Sequence, residues 1–241
     1  MDSGVDLIVV RGTPEALAIH KATSTLPVVM SAVVDPVDSG LADTLAHPGK
    51  NFTGLASIVT ELEAKRIQYL KDVVPGIERI AFLGDFRNPS VRTQWHAVEI
   101  AAQSLNVKVE PLTAQSTEGI YSAFDTADKK HIQAFRVGID GLTRPNRKTI
   151  VDLARAHEIP IIYAAREFVD GGGLMSYAAD YSYLYWRAAY FVDRIFRGAK
   201  PQDIPIEIPT KYEFVVNLNT AKRLGIVIPA TVLSSADSII E

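Results

Sequence analysis

Short runs of apolar residues alternate along the chain with longer segments in which apolar residues recur every three or four positions. The short runs are typical of strands covered on both faces, and the longer spacing is typical of amphipathic helices. The clearest strand is predicted at residues 27–34, and the clearest helix follows the capping-box motif at residues 60–63. This alternation predicts an α/β fold with mainly parallel sheets.

The same criteria assign most of the remaining chain. Strands are predicted at residues 7–10, 27–34, 80–83, 107–109, 134–137, 161–163, 174–177 and 214–216. Helices are predicted at residues 14–23, 60–74, 89–105, 118–130, 145–157, 181–197 and 220–224, with a short helical segment soon after Gly40. Prolines at 201, 205 and 209 predict an extended segment. Three consecutive glycines at 171–173 predict a bend and a domain boundary.

Composition narrows the class of protein. A chain of 241 residues has room for one large or two small domains, and its formal net charge of -3 argues against a surface that collects nucleic-acid phosphates. No apolar run approaches the length of a membrane span. Cysteine is absent, which suits the cytoplasm or the periplasm, and the first six residues have no basic region of a secretory signal.

Catalytic motifs are missing from the sequence. The five histidines lack the spacing that would direct two imidazoles at one metal ion, and no nucleophile elbow, phosphate loop or dinucleotide fingerprint occurs. We therefore predict no catalytic residue, no metal site and no cofactor. A doubly wound enzyme using Asp35, Asp140 and a histidine remains a less favoured alternative.

Polar turns follow several predicted strands, and open α/β sheets bind ligands at the carboxyl ends of their strands. Thr13 and Pro14 follow the first strand and open a helix, where the Thr13 hydroxyl and free amides either receive a carboxylate or form a plain N-cap. Asp35 follows the second strand, and its carboxylate either faces a ligand or caps the turn. Both alternatives stay open at each position.

The second half of the sheet pattern offers further candidates. Asn88 and Ser90 flank a proline at the start of a helix, an arrangement suited to an anionic group. Asp140 follows the strand at residues 134–137 and either pairs with a ligand amine or is a solvated loop residue. Tyr177, at the end of a predicted strand, is the aromatic residue that we expect near a ligand cleft.

With these turns in place, the sequence resembles the ABC transporter substrate-binding protein family that includes tryptophan- and phenylalanine-binding members and has the type I periplasmic-binding fold. The likeness extends over essentially the whole chain. It depends on the order and spacing of these motifs: residues 5–9 with 12–14, 35–37 with 39–40, 48–49, 51–54, 88–90, 166–168, 172–177 and 209–213.

This resemblance implies two Rossmann-like lobes joined by three crossovers, with a small organic ligand bound in the interlobe cleft. That ligand would be an aromatic or branched amino acid or another small carboxylate. The first lobe would comprise residues 1–56 and 172–206, and the second would comprise 57–171 and 207–241. Amides and hydroxyls of Thr13, Asn88 and Ser90 would bind a carboxylate, and Asp140 an amino group. The implied partners are the permease and ATPase of an importer, and the implied location is the periplasm.

The sequence departs from the family pattern in three places. Ala178 stands where family members have glycine after the Ser-Tyr pair, and the turn before Asp140 lacks a proline. Family members also have two strands and two helices before the segment that matches Val5, so the first lobe is expected to be incomplete. The uncovered edge predicts either self-association or a longer gene product. A cytoplasmic ligand-sensing domain of the same fold is the main alternative.

Overall fold

The computed structural model describes residues 4–57 and 59–241, and the side chains of residues 59–61 lie outside the description. The chain forms two units, one comprising Met1–Val59 and Ala179–Lys211 and the other Thr60–Ala178 and Tyr212–Glu241. We call them unit 1 and unit 2. The chain passes from one unit to the other three times, after residues 59, 178 and 211.

Ten strands and nine helices make up the regular structure of the described residues. The strands are β1 Ile8–Val10, β2 Val28–Val34, β3 Phe52–Ser57, β4 Arg79–Gly84, β5 Lys108–Thr113, β6 Ala134–Val137, β7 Ile161–Tyr163, β8 Met175–Ala179, β9 Tyr212–Asn217 and β10 Ser238–Ile240. The helices are α1 Thr13–Ala22, α2 Val59–Val73, α3 Pro89–Ser104, α4 Thr117–Lys129, α5 Arg147–Ala156, α6 Arg166–Asp170, α7 Tyr181–Phe196, α8 Leu218–Arg223 and α9 Ala230–Leu233. No described helix is both long and apolar enough to cross a membrane.

Unit 1 is built on a parallel sheet in the order β1-β2-β3. Alternate residues of β2 enter different cores, as the period of a strand requires. Met30 packs with Ala16 of α1 in one core, whereas Val29 packs with Leu184 and Phe191 of α7 in the other. The sheet of unit 1 is therefore covered on both faces, which explains why β2 is apolar along most of its length.

Gly54 marks a close approach of two backbones in this sheet. Its φ is +123°, and a β-carbon at this position would lie 2.1 Å from the carbonyl oxygen of Met30 on β2. The register between β2 and β3 shifts a few residues further on, between Met30 and Val33. Only glycine satisfies both the backbone angle and the contact distance here.

Unit 2 is built on a seven-stranded sheet in the order β10-β9-β8-β7-β6-β4-β5, and the strand pairs with a described register are parallel. Phe82 and Met175 of the sheet pack with Leu70 of α2 and Val98 of α3 in the largest described core cluster. The chain leaves β4 in one direction to form β5 and then returns across β4 to form β6. The carboxyl ends of β4 and β6 therefore flank a topological switch point, where open α/β sheets bind ligands.

The predicted α/β class with mainly parallel sheets is confirmed, and each predicted strand is present with shifts of a few residues at its ends. Four elements were not predicted: β3, α6, α9 and β10. Two local predictions were wrong. The segment after Gly40 forms bends rather than a helix, and Pro201–Asp203 is a 3-10 helix within the segment expected to be extended. Prolines are compatible with the first turn of a helix, which explains the second error.

The unit boundaries in the structure differ from the predicted lobes. Residues 172–178 were expected in the first lobe, but Met175 of β8 pairs with Ile162 of β7 and so lies in the sheet of unit 2. Residues 207–211 were expected in the second lobe, but Leu55 forms a bridge with Glu207 in unit 1. The triple glycine precedes a strand within unit 2 and is not itself a crossing between the units.

We predict that Gly54→Ala lowers the free energy of unfolding by about 3 kcal/mol or more, because the substitution combines left-handed backbone strain with a clash against β2. Gly40→Ala is the matched control, since Gly40 also has a positive φ of +72° but no atom within 4 Å of an added β-carbon. The free energy of unfolding of the control should fall by only about 1 kcal/mol. Urea unfolding measures both values, and equal losses would contradict the close-packing argument.

Candidate functional site

In unit 2, a buried carboxylate joins the two polar turns at the switch point. Asp140 follows β6, and its Oδ2 accepts a hydrogen bond of 3.0 Å from the amide of Asp85, which follows β4. Its Oδ1 accepts bonds of 2.7 Å from the amides of Leu142 and Thr143. The structure therefore gives Asp140 a structural role as the link between the turns. A carboxylate has about four lone-pair sites, so these three bonds leave room for one further donor.

Asn88 caps α3 and lies in the turn that Asp140 supports. Its Oδ1 accepts hydrogen bonds of 3.0 Å from both the amide and the hydroxyl of Ser90. Because an amide oxygen is needed to accept from a backbone N–H, these bonds fix which way the Asn88 amide points. Among residues 4–57 and 62–241, no partner accepts from its Nδ2 group, which stays available as a donor, whereas the Ser90 hydroxyl has already donated its hydrogen and can only accept.

In unit 1, the turns after β1 and β2 are also joined by a side chain. The buried Thr13 hydroxyl accepts a 3.1 Å bond from the amide of Val34 and lies 3.4 Å from the Val34 carbonyl oxygen. The N-cap of α1 is Gly12, so the interpretation of Thr13 as an N-cap was wrong. The hydroxyl is engaged with β2, and exposed Pro14 lies in the first turn of α1.

Asp35 follows β2 in an unusual backbone conformation. Its φ is +42°, a region that few residues other than glycine adopt, and Pro36 follows it directly. No hydrogen bond or ion pair of its carboxylate occurs within the described part of the chain. Burial, and to a smaller degree the carboxylate of Asp38, raise the pKa of Asp35 above the ordinary value of an aspartate. Strained backbone and an unpaired acid are typical of binding sites.

Tyr177 was expected at the end of a strand, but it is the central residue of β8, where it belongs to an aromatic cluster. Its ring centroid is 5.7 Å from that of Tyr69, 6.3 Å from that of Phe214 and 6.0 Å from that of Tyr212. β7 lies between β8 and β6, so this cluster is not part of the Asn88 and Asp140 turns. The structure thus brings Asn88, Ser90 and Asp140 together and leaves Tyr177 apart from them on the same sheet.

A buried group of charged residues in unit 2 was missed by sequence reasoning. The Glu63 carboxylate accepts bonds of 2.7 and 2.5 Å from Arg136 on β6 and a bond of 2.6 Å from Arg66. Both Glu63 and Arg136 have zero exposure. Burial alone would raise the pKa of Glu63, but the two guanidinium groups outweigh it and hold that pKa below its usual range.

The Glu63 contacts correct the capping-box interpretation of residues 60–63. Its carboxylate enters the core instead of returning to the start of α2, and the Thr60 side chain lies outside the described residues. Arginine in the apolar run AFRV was the sequence signal for a buried ion pair, because an arginine buried in a sheet requires an acidic partner.

Two observations concern metal binding and an internal cavity. The described residues contain no group of three or more histidine, aspartate or glutamate side chains placed to hold a metal ion. A cavity of about 220 Å³ lies in unit 2 among residues of α5, β7 and α8, and no predicted site residue lines it. The polar turns at the strand ends therefore remain the candidate site.

Each unit thus has the features of a ligand-binding α/β domain: a parallel sheet covered by helices, with linked polar turns where its strands end. The model of the family described as ABC transporter substrate binding protein matches residues 1–240. The chain belongs to this family. Its members bind small molecules and work with permease and ATPase partners, and they are binding proteins rather than enzymes.

A relative that binds tyrosine agrees with this family assignment. A tyrosine-binding protein of Clostridioides difficile (strain R20291) is 26% identical over 219 residues, which are 91% of this chain and 63% of that protein. The chain thus spans less than two thirds of that relative.

Two solved structures share the fold closely. An ABC domain in complex with L-Trp from Streptococcus pneumonia has a TM-score of 0.91 and 30% identity, with 99% of this chain and 80% of that chain covered. A conserved domain protein of Vibrio cholerae has a TM-score of 0.90 and 27% identity, with 97% and 78% covered. The expected family and its type I periplasmic-binding fold are confirmed.

We predict that Asp35→Asn stabilises the protein at neutral pH, by less than about 1 kcal/mol because solvent still screens this half-buried charge. A raised pKa means that the folded state binds the proton more tightly than the unfolded state, so the wild type loses stability as pH rises through that pKa. The difference in the free energy of unfolding between Asp35→Asn and the wild type should therefore be absent in acid and constant above the raised pKa.

Urea unfolding between about pH 4 and pH 8 measures this difference. Asp125→Asn, on the exposed side of α4, is the control and should show no such rise. An Asp35→Asn variant no more stable than the wild type at neutral pH would show that the carboxylate has a stabilising partner after all.

Proposed function

We propose that this protein is the solute-binding component of an ABC importer and that its ligand is an amino acid or another small carboxylate, with aromatic amino acids as the first candidates. The observation that carries the proposal is the link between the turns after β4 and β6, where Asp140 holds the Asn88 turn at the switch point of the sheet. Family membership supports the transport role. The relatives that bind tyrosine and L-Trp support the ligand class.

The hydrogen-bonding groups of the turns suggest a role for each residue. The Nδ2 group of Asn88 donates to the ligand carboxylate, since its oxygen is occupied by Ser90. Asp140 accepts from the ligand ammonium with its remaining lone pair, and the Ser90 oxygen accepts from the same group. In unit 1, the polar features at the strand ends are the unpaired carboxylate of Asp35 and the first turn of α1, where Thr13 has an N–H group and Pro14 has none.

The role of Ser90 thereby changes from the one expected from sequence. Ser90 was assigned to the carboxylate, but its hydroxyl hydrogen is directed at Asn88, and only its lone pairs face other donors. Permease and ATPase subunits are the proposed partners, and the proposed location is outside the cytoplasmic membrane, where importers collect solutes.

We predict that an aromatic L-amino acid raises the melting temperature in a screen of the common L-amino acids. A ligand at about 100 times its Kd adds about 2.7 kcal/mol to the stability, which corresponds to a shift of roughly 5 to 10 °C for a protein of this size. A flat response across all amino acids would contradict the ligand class, and conversion of the ligand would favour an enzyme.

Asn88→Asp tests the binding role separately from the helix cap. Aspartate caps helices as well as asparagine does, so α3 should remain stable, but the substitution replaces the Nδ2 donor with a negative charge facing the ligand carboxylate. We expect the Kd for the amino acid that binds to rise at least about 10- to 100-fold by isothermal titration calorimetry.

Ser116→Asp places the same carboxylate at the N-cap of α4 and should leave the Kd unchanged. If both variants bind as the wild type does, the Asn88 amide is not a ligand contact.

Self-association remains a separate proposal. The outer edge of β1 has no partner strand within the described sheet, and the side chain of Val9 is 49% exposed. Exposed apolar edges favour pairing with a second chain. We predict an average mass above the 26.4 kDa monomer that falls on dilution, measured by light scattering after size exclusion. A constant monomer mass at all concentrations would contradict self-association.

A further inference from the structure

Four buried side chains of unit 2 form a continuous chain of hydrogen bonds. Arg136 on β6 donates a long bond of 3.4 Å to the Oε1 atom of Gln94 on α3 and a short one of 2.5 Å to Glu63 on α2. Glu63 also accepts a bond of 2.6 Å from Arg66, one helical turn further on. The exposures of Gln94, Arg136, Glu63 and Arg66 are 3%, 0%, 0% and 4% in that order. We call these four residues the buried polar chain.

One end of the buried polar chain holds a turn of the candidate site. The Oε1 atom of Gln94 accepts a bond of 3.1 Å from the amide of Ile139, and its Nε2 group donates at 3.2 Å to the carbonyl of the same residue. Ile139 directly precedes Asp140. Both polar groups of the Ile139 backbone are therefore fixed by one side chain, and the position of Asp140 follows from them.

The other end holds a strand just before the chain leaves unit 2. The Nε group of Arg66 donates a bond of 2.7 Å to the carbonyl oxygen of Tyr177, and the first segment of unit 2 ends at the next residue, Ala178. Glu63 itself lies only three residues after the first crossing, at Thr60. The buried polar chain thus connects the turn at Ile139 with two of the three crossings.

Burial makes these groups act together. A charge inside the protein cannot lose its partner without a large desolvation cost, so a shift of Arg66 must be followed by Glu63, and a shift of Glu63 by Arg136. Arg136 is held in place relative to Glu63, because two of its nitrogens bind Glu63 and its guanidinium group lies over the ring of Phe82.

We propose that the buried polar chain positions the Ile139 and Asp140 turn and couples it to the peptide at Tyr177, so that the ligand-binding turn and the crossing strand change together. The role of this coupling in ligand binding rests on the proposed function, but the coupling itself exists in the ligand-free protein. Gln94, Arg136, Glu63 and Arg66 are positioning residues. They act on the site through Ile139.

Hydrogen exchange in the ligand-free protein tests the coupling directly. Arg66→Lys keeps the charge beside Glu63 but removes the Nε donor to Tyr177. We expect the amide of Ile139, at the opposite end, to exchange at least about 10-fold faster, while the amide of buried Ile159, which donates a 3.0 Å bond to the carbonyl of Ala154, is unchanged. Lys65→Arg, an exposed substitution on the same helix, should leave the exchange of both amides unchanged.

Either of two results would overturn the proposal. Unchanged exchange at Ile139 in Arg66→Lys would show that the two ends are independent. Equal acceleration at Ile139 and Ile159 would show that Arg66 supports only the overall stability of unit 2.

A double-mutant cycle with L-tryptophan as the probe tests the consequence for binding. Gln94→Ala releases Ile139, and Gln103→Ala on the exposed side of α3 is its control. We expect the combined effect of Gln94→Ala and Arg66→Lys on the Kd to differ from the product of the single effects by at least about 3-fold. If the Kd change of the double variant equals the product of the two single changes within about 2-fold, the sites are independent, and the coupling to binding is overturned.

The two proposals fail in distinguishable ways. If the wild type binds neither L-tryptophan nor L-tyrosine, the proposed ligand class is wrong, and the exchange experiment alone decides the coupling. If the wild type binds L-tryptophan but the exchange at Ile139 is insensitive to Arg66, the binding function stands and the coupling is wrong.

Discussion

The buried ion pair between Glu63 and Arg136 is the interaction on which unit 2 depends. It places two opposite charges, with zero exposure, beside the apolar core of unit 2, and it joins α2 to β6 of the seven-stranded sheet. Such a pair contributes little net stability compared with apolar packing, but removal of one partner leaves an uncompensated buried charge. The arrangement of α2 on the sheet is therefore specified by charge as well as by shape.

The same pair shows what could not be predicted from the sequence. Continuous apolar runs and polar turns follow from local periodicity, so the α/β class and the turns at Asn88 and Asp140 were predictable. Glu63 and Arg136 are 73 positions apart, and local pattern holds no information on such a contact. β3 was missed for a different reason, since Gly54 interrupts its pattern where two backbones approach each other.

The candidate site also shows how a side chain with a structural role can keep a hydrogen-bonding position for another partner. Asn88 caps α3 with its oxygen and keeps its nitrogen as a donor, and Asp140 links two turns with part of its carboxylate. Sequence reasoning treated capping and ligand binding as alternatives at several turns. Hydrogen-bond geometry shows that they are compatible, because amides and carboxylates have more than one bonding position.

The three crossings between the units have a consequence for biosynthesis. Unit 1 gains α7 and the bridge at Glu207 only when residues 179–211 have been made, and the sheet of unit 2 gains β9 and β10 later still. The nascent chain therefore carries both sheets with an open edge or face for most of its synthesis. Long-range pairing of this kind slows folding, and apolar surface of both sheets stays exposed until α7 and then β9 and β10 have been made.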